Sequence, residues 1–310
     1  ELRAICDPYE TCLPWGIWHG TEELSEYQRA AFEHCWKMVE GGDFDIVHNN
    51  SLYPALMDWA RTASLPMVTS QHVPPFGPMR EAVLRTRGSG QIVTLTSESQ
   101  RPLWEPTDGI AFRVVRNGVD CNVWRPTPKR GNHIIWSGRI TPNKGLAEAV
   151  AAARLADLSL LICGPIEDAP YFEQEVAPFL DERRHYLGHC SGDRLRELVA
   201  TAMAALVTPM WEEPFGLVAA EALACGTPVA AFDRGGLREV VGDSGILAPG
   251  GDIPALAKAL EDSLTLDRSA CREHAVENLS VEAMISGYES CYADAIAACC
   301  RFESTSLASS

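Results

Sequence analysis

The chain has 310 residues, room for about two domains at roughly 150 residues each, and each is large enough to bury a core. Apolar residues make up 46% and charged residues 22%, a globular composition that excludes collagen-like, low-complexity and mini-protein classes. Lys and Arg number 26 against 42 Asp and Glu, and the net charge of −16 repels phosphate backbones, so nucleic acid is excluded as an expected partner.

Short apolar, β-branched runs alternate with helical patterns along the chain. Asp45-Ile46-Val47-His48, Pro66-Met67-Val68-Thr69, Gln91-Ile92-Val93-Thr94-Leu95 and Arg113-Val114-Val115 read as strands, and their spacing predicts parallel strands with crossover helices. Trp124 to Gly131 is Pro-rich and basic with no apolar period, and the domain boundary is placed there, between residues 1–127 and 128–280. Beyond it the pattern predicts strand 133–138, helix 143–156, strand 158–164, a helix near 171–180, strand 184–187, helix 193–201, strand 204–208, helix 216–224 and strand 228–232. That is a doubly wound α/β domain. In the tail, 253–264 and 281–302 carry apolar residues at helical spacing and predict helices that close the structure.

The longest uncharged run, Thr62 to Met79, is broken by Pro66, Pro74, Pro75, Gly77 and Pro78, whereas a membrane span needs about 20 mainly apolar residues. Glu1-Leu2-Arg3-Ala4-Ile5-Cys6 lacks the basic start and apolar stretch of a secretory signal. Eleven cysteines, an odd count with no C-x-x-C pair, suit reduced thiols in the cytoplasm better than a disulfide framework or a thiolate zinc site. His185, His189 and Cys190 cluster, but Gly188 breaks any helix that would align them, so no metal is expected. Residues 79–130 carry nine basic against five acidic residues, which reads as a solvated face. Asp43-Phe44-Asp45 spells D-x-D, yet it precedes its strand and so sits away from the C-terminal strand ends where ligands bind in such sheets. Gly88-Ser89-Gly90 likewise leads into a strand and fails as a dinucleotide fingerprint.

The most informative string is Trp211-Glu212-Glu213-Pro214-Phe215-Gly216-Leu217-Val218-Ala219-Ala220-Glu221 and its continuation to Val229. Glu213 lies in a loop and Glu221 in the second turn of the following helix, so both can border one site. The helix N-terminus at Gly216, Leu217 and Val218 offers free amides suited to a diphosphate. This string resembles the E-x7-E motif of retaining glycosyltransferase family 4. Val115-Arg116-Asn117-Gly118-Val119-Asp120 resembles that family's interdomain turn, Gly138-Arg139-Ile140-Thr141-Pro142-Asn143-Lys144-Gly145 its GR…KG loop, and Asp233-Arg234-Gly235-Gly236-Leu237-Arg238-Glu239 its Gly-Gly-x-x-Glu turn. The resemblance covers about residues 43 to 300.

The resemblance implies a GT-B fold, two Rossmann-like doubly wound domains facing a cleft, with a C-terminal helix over 281–310 crossing back to the first domain. It implies transfer of a sugar from a nucleotide diphosphate sugar with retained anomeric configuration and no metal or other cofactor. Gly138, Arg139, Lys144, Gly216, Leu217, Val218 and Glu221 would bind the donor, Arg139 and Lys144 at the diphosphate and Glu221 at the ribose, while Glu213 would face the transferred sugar. Fixed cations and helix amides stabilise the charge that develops as a diphosphate leaves. His72 matches the family's strand-end histidine near the donor sugar; at His48 the H-x-H-like pattern has Asn50 as its second member, and a structural role is the default. The acceptor, a glycan, lipid or small molecule, is not read from the sequence. A cytoplasmic protein, with room for peripheral contact at the inner membrane face, is expected. The family's opening strand and Gly-rich loop do not precede Glu1, and a longer native polypeptide is expected. Two other readings are a nucleotide-sugar-binding module without turnover and a GT-B enzyme of different chemistry, such as a phosphorylase or an epimerase.

Overall fold

The structure, a computed structural model, describes residues 21–105 and 107–307. The expected first domain begins in residues 1–20 and the expected C-terminal helix ends in 308–310, both outside the described residues.

The first element among the described residues is α1 (Glu22–Glu40), capped where the Thr21 hydroxyl accepts from the Leu24 amide at 3.3 Å. It continues through β1 (Val47–Asn49), α2 (Ala55–Thr62), β2 (Met67–Gln71), α3 (Gly77–Arg85), β3 (Ile92–Leu95), a tight turn at Glu98–Trp104 and β4 (Ala111–Val114). These four strands form a parallel sheet in the order β1-β2-β3-β4. Its faces follow the two-residue period of a strand. Met67, Val93 and Leu95 point to a core with Met57 of α2, Val83 of α3 and Trp104, while Val68 and Ile92 point the other way, to Tyr288, Cys291 and Ala295.

A second sheet follows: β5 (Ile134–Ser137), α4 (Leu146–Leu155), β6 (Leu160–Cys163), β7 (Arg184–Tyr186), α5 (Gly192–Thr201), β8 (Ala205–Val207), α6 (Leu217–Ala224), β9 (Val229–Phe232), α7 (Leu237–Val241), β10 (Gly245–Ala248), α8 (Ile253–Ser263), α9 (Arg268–Asn278) and α10 (Val281–Leu307). Its six parallel strands are ordered β10-β9-β8-β5-β6-β7. The winding runs outward from β5 in one direction and from β8 in the other, so the order reverses between them, where open α/β sheets bind ligands. Ile134, Trp136, Leu160 and Ile162 face α4 and α8, and Ile135, Cys163, Ala205 and Val229 face α5, α6 and α9. Burying a side chain of this size contributes about 1.5–3 kcal/mol.

Two predicted elements differ. The helix expected from Asn143 begins at Leu146, because Thr141 to Lys144 form a separate turn and Gly145 adopts φ +66°. The helix expected near 171–180 is a chain of short turns, Ala169–Tyr171, Phe172–Val176 and Ala177–Phe179, since Pro170 and Pro178 cannot donate helical hydrogen bonds.

The chain passes between the sheets twice, and the two crossings touch. The Val119 amide donates to Leu279 O at 2.8 Å and the Val281 amide to Val119 O at 3.1 Å. A Cβ on Gly118 would lie 2.6 Å from Val281 Cα, so any other residue would push the crossings apart. After the second crossing α10 lies against the four-stranded sheet. There His48 Nδ1 meets the Tyr292 hydroxyl at 2.7 Å and His48 Nε2 meets Ser70 Oγ at 2.8 Å, with the Tyr288 hydroxyl 2.8 Å from the same Oγ. Both His48 ring nitrogens are thereby engaged. Among the described residues no helix is long and apolar enough to cross a membrane.

Candidate active site

A cleft of about 550 Å³ opens at the C-terminal ends of β5 and β8, with His72 and Asn117 on its opposite wall. The topology explains its place: the helices following β5 and β8 leave on opposite faces of the sheet and part at that point.

The loop after β5 carries Gly138, Arg139 and Lys144. It is fixed from below by Thr208 at the end of β8, whose hydroxyl accepts from Trp136 Nε1 at 3.0 Å and donates to Gly145 O at 2.7 Å. Gly145 is required here. Its φ is left-handed, and a Cβ would sit 1.9 Å from Thr208 O. Lys144 is thus aimed across the cleft at the loop after β8, where its Nζ lies 2.8 Å from Glu213 Oε2. Trp211 Nε1 donates to that same oxygen at 2.9 Å, and the Lys144 ammonium stands 5.0 Å from the Trp211 ring centroid. The pair is mostly buried, so it is weakly screened.

Behind Glu213 the chain turns into α6 at Gly216, which has φ +102° and no side-chain cap. The first helical amides, Leu217 and Val218, have no carbonyl one turn back within the helix, and both residues line the cleft. Amides, ammonium and carboxylate therefore converge within one concave wall. Glu221 sits one turn further on, mostly buried beneath the lining, and burial pushes its carboxyl up to about 7.

From the other unit, His72 follows β2 and donates from Nε2 to Asn50 Oδ1 at 3.2 Å. Desolvation by burial lowers its pKa and so favours the neutral ring, and a hydrogen bond to the Asn117 side chain partly opposes this. His48, behind it, is also held below the usual imidazole range, by burial first and by the charge of His72 second.

The structure brings His72, Gly138, Lys144, Glu213, Gly216, Leu217 and Val218 to one cleft. Arg139 is turned from them, exposed and paired with Glu167 at 3.0 Å. Sequence reasoning did not single out Trp136, Thr208 or Trp211. The strand-end position of Thr208 and the adjacency of Trp211 to two glutamates were the available signals.

Residues 125–278, just under half of the chain, match the family described as "Glycosyl transferases group 1". The chain is 34% identical over 198 residues to the alpha-maltose-1-phosphate synthase of Mycolicibacterium smegmatis, covering 53% of this chain and 50% of that protein. It is 36% identical over 195 residues to the D-inositol 3-phosphate glycosyltransferase of Salinispora arenicola, covering 55% and 43%. The chain thus spans about half the length of these curated relatives. Among solved structures, Anabaena HepE in complex with UDP superposes with a TM-score of 0.73 at 21% identity, over 84% of this chain and 81% of that one. AviGT4, a glycosyltransferase involved in avilamycin A biosynthesis, gives 0.70 at 24% identity over 86% and 78%. The fold is GT-B. In a GT-B molecule the cleft between the two sheets is where Lys144, Glu213 and the α6 amides face His72.

Proposed function

We propose that this GT-B protein is a glycosyltransferase that moves a sugar from a nucleotide diphosphate sugar to a hydroxyl acceptor with retention at the anomeric carbon. The observation that carries the reading is the convergence of the Lys144 ammonium, the uncapped α6 amides and the Glu213 carboxylate on one cleft at the switch point of the six-stranded sheet. It suits a ligand with a diphosphate at one end and sugar hydroxyls at the other. The similarity to HepE, solved with UDP, supports a nucleoside diphosphate as the bound group.

In this reading the diphosphate lies over Leu217 and Val218 with Lys144 on its oxygens, and Arg139 joins by leaving Glu167. Glu213 accepts from hydroxyls of the transferred sugar, and Glu221 meets the ribose. The bond from the anomeric carbon to the leaving phosphate oxygen breaks. Negative charge then grows on the diphosphate, where the ammonium and amides stabilise it most. The acceptor oxygen bonds the same face of the anomeric carbon, and its proton passes to the departing diphosphate. These cations and dipoles carry out the charge stabilisation without a metal. His72, at the opposite wall with its pKa lowered by desolvation, supports the reacting centre. A thermal-shift screen with UDP-, GDP-, ADP- and dTDP-sugars tests the assignment. One nucleotide series should raise the melting temperature, and the shift should vanish in Lys144→Ala. No shift with any of the four would overturn it.

A further inference from the structure

The loop that carries Glu213 is held from both sides. From its own unit, the Gly236 amide donates to Glu213 O at 2.7 Å and the Gly235 amide to Glu212 Oε2 at 2.9 Å, with Arg234 on the other Glu212 oxygen at 3.2 Å. From the four-stranded unit, the segment after β3 reaches across. Thr96 Oγ1 and Ser97 Oγ lie 2.9 and 2.8 Å from one acceptor, the carbonyl of Pro214, and both hydroxyls donate to it. Thr96 is 2% exposed and Ser97 0%, so this is an interior contact and not a surface touch. Two donors on one carbonyl use both of its lone pairs.

A second link runs the opposite way. Glu239, on α7, accepts from the Glu98 amide at 3.0 Å and the Ser99 amide at 2.9 Å, and the Arg116 guanidinium stands 3.8 Å from it. Its charge thus caps the turn Glu98–Trp104, which begins right after the two hydroxyls. The pieces are packed as closely as their backbones allow. A Cβ on Gly236 would fall 2.6 Å from Pro214 O and 3.0 Å from Ser97.

We propose that Thr96, Ser97 and Glu239 are positioning residues: the four-stranded unit holds the Glu213 loop in its working place, so that engagement of the two units and organisation of the donor site are one event. The effect on turnover rests on the function proposed above; the effect on the loop does not. Moving the units apart would strip Pro214 O of both donors and the Glu98 and Ser99 amides of their cap, and the loop would lose the contacts that fix it from that side. Glu213 Oε2 would then lose its place between Lys144 Nζ and Trp211 Nε1. The Leu217 and Val218 amides and Glu221 belong to α6, beyond that loop, and Lys144 is fixed by the turn at Gly145, so nucleotide affinity should feel the change little.

The test uses the whole chain with Thr96→Val/Ser97→Ala, Glu239→Gln and, as the conservative control, Thr96→Ser. Amide hydrogen exchange on unliganded protein should accelerate about tenfold in the peptide spanning 210–218 for the double variant and for Glu239→Gln, with β9 unchanged and Thr96→Ser close to wild type. In steady-state assays with the donor found by thermal shift, kcat should fall about tenfold while the dissociation constant for the nucleotide stays within twofold. Unchanged exchange over 210–218, or equal acceleration in β9, would overturn the inference at the loop. Faster exchange with unchanged kcat would overturn the positioning role. If wild-type protein turns over no nucleotide sugar, the functional proposal falls and the exchange result still decides whether the loop is held across the two units.

Discussion

Lys144 and Glu213 neutralise each other at 2.8 Å in a mostly buried setting, and the Trp211 indole holds the same carboxylate oxygen. A diphosphate would draw the ammonium toward itself, and the indole N–H would keep Glu213 in place while its other oxygen turned to the sugar. Lys144→Ala should therefore slow transfer about a hundredfold, the scale of losing one preorganised charge-stabilising donor, as measured by kcat. Glu221 makes a second prediction, on pH. Its folded pKa of about 7 lies above the ordinary value of 4.5 because burial disfavours the carboxylate. The folded protein then binds this proton more tightly than the unfolded chain, so the group's contribution to stability is fully present below about pH 4.5 and is lost as pH rises through 7. The loss is on the order of 3 kcal/mol. Glu221→Gln removes that dependence: urea unfolding should show the variant gaining on wild type from pH 5 to pH 8, whereas a constant difference would mean the carboxylate is well solvated.

The turn at Gly145 joins two elements, β5 and α4, and sets the direction of Lys144 between them. Gly145→Ala puts a side chain into a left-handed conformation and against the Thr208 carbonyl, which should cost about 2–5 kcal/mol in denaturant unfolding and also reduce turnover. A loss below 1 kcal/mol would contradict the tight packing of this turn. The strands 134–137, 160–163, 205–207 and 229–232 were legible because each is a short, mainly apolar run between helical patterns. Glu213, Gly216, Leu217 and Val218 were legible as one motif, since a loop glycine opening a helix announces exposed amides. Other features were not. α9, Arg-Ser-Ala-Cys-Arg-Glu-His-Ala-Val-Glu-Asn, has little apolar period and is held by tertiary bonds instead: Arg268 donates to Ala202 O at 2.7 Å, and Arg272 to Cys121 O at 2.7 Å. The partner of Arg139, Glu167, lies 28 residues away, a pairing that appears once the loops after β5 and β6 lie side by side. The partners of His48 were likewise not legible, because Tyr288 and Tyr292 come from α10.

At the scale of the whole molecule, three seams join the two units among the described residues: the paired crossings at Val119 and Val281, the His48–Tyr292 and Ser70–Tyr288 contacts of α10, and the Thr96, Ser97 and Glu239 links beside the cleft. The cleft needs both units, because Lys144, Glu213 and the α6 amides come from one and His72 from the other. The most direct test of the account is an NMR time course of donor breakdown, following the nucleoside diphosphate by phosphorus and the sugar by its anomeric proton, with wild-type protein and Lys144→Ala on the donor that stabilises the wild type. The account predicts that wild-type protein releases nucleoside diphosphate together with a sugar that first appears in the donor's own anomeric configuration, and that Lys144→Ala is about a hundredfold slower. Release of the inverted anomer, or no release by the wild-type protein, would contradict it.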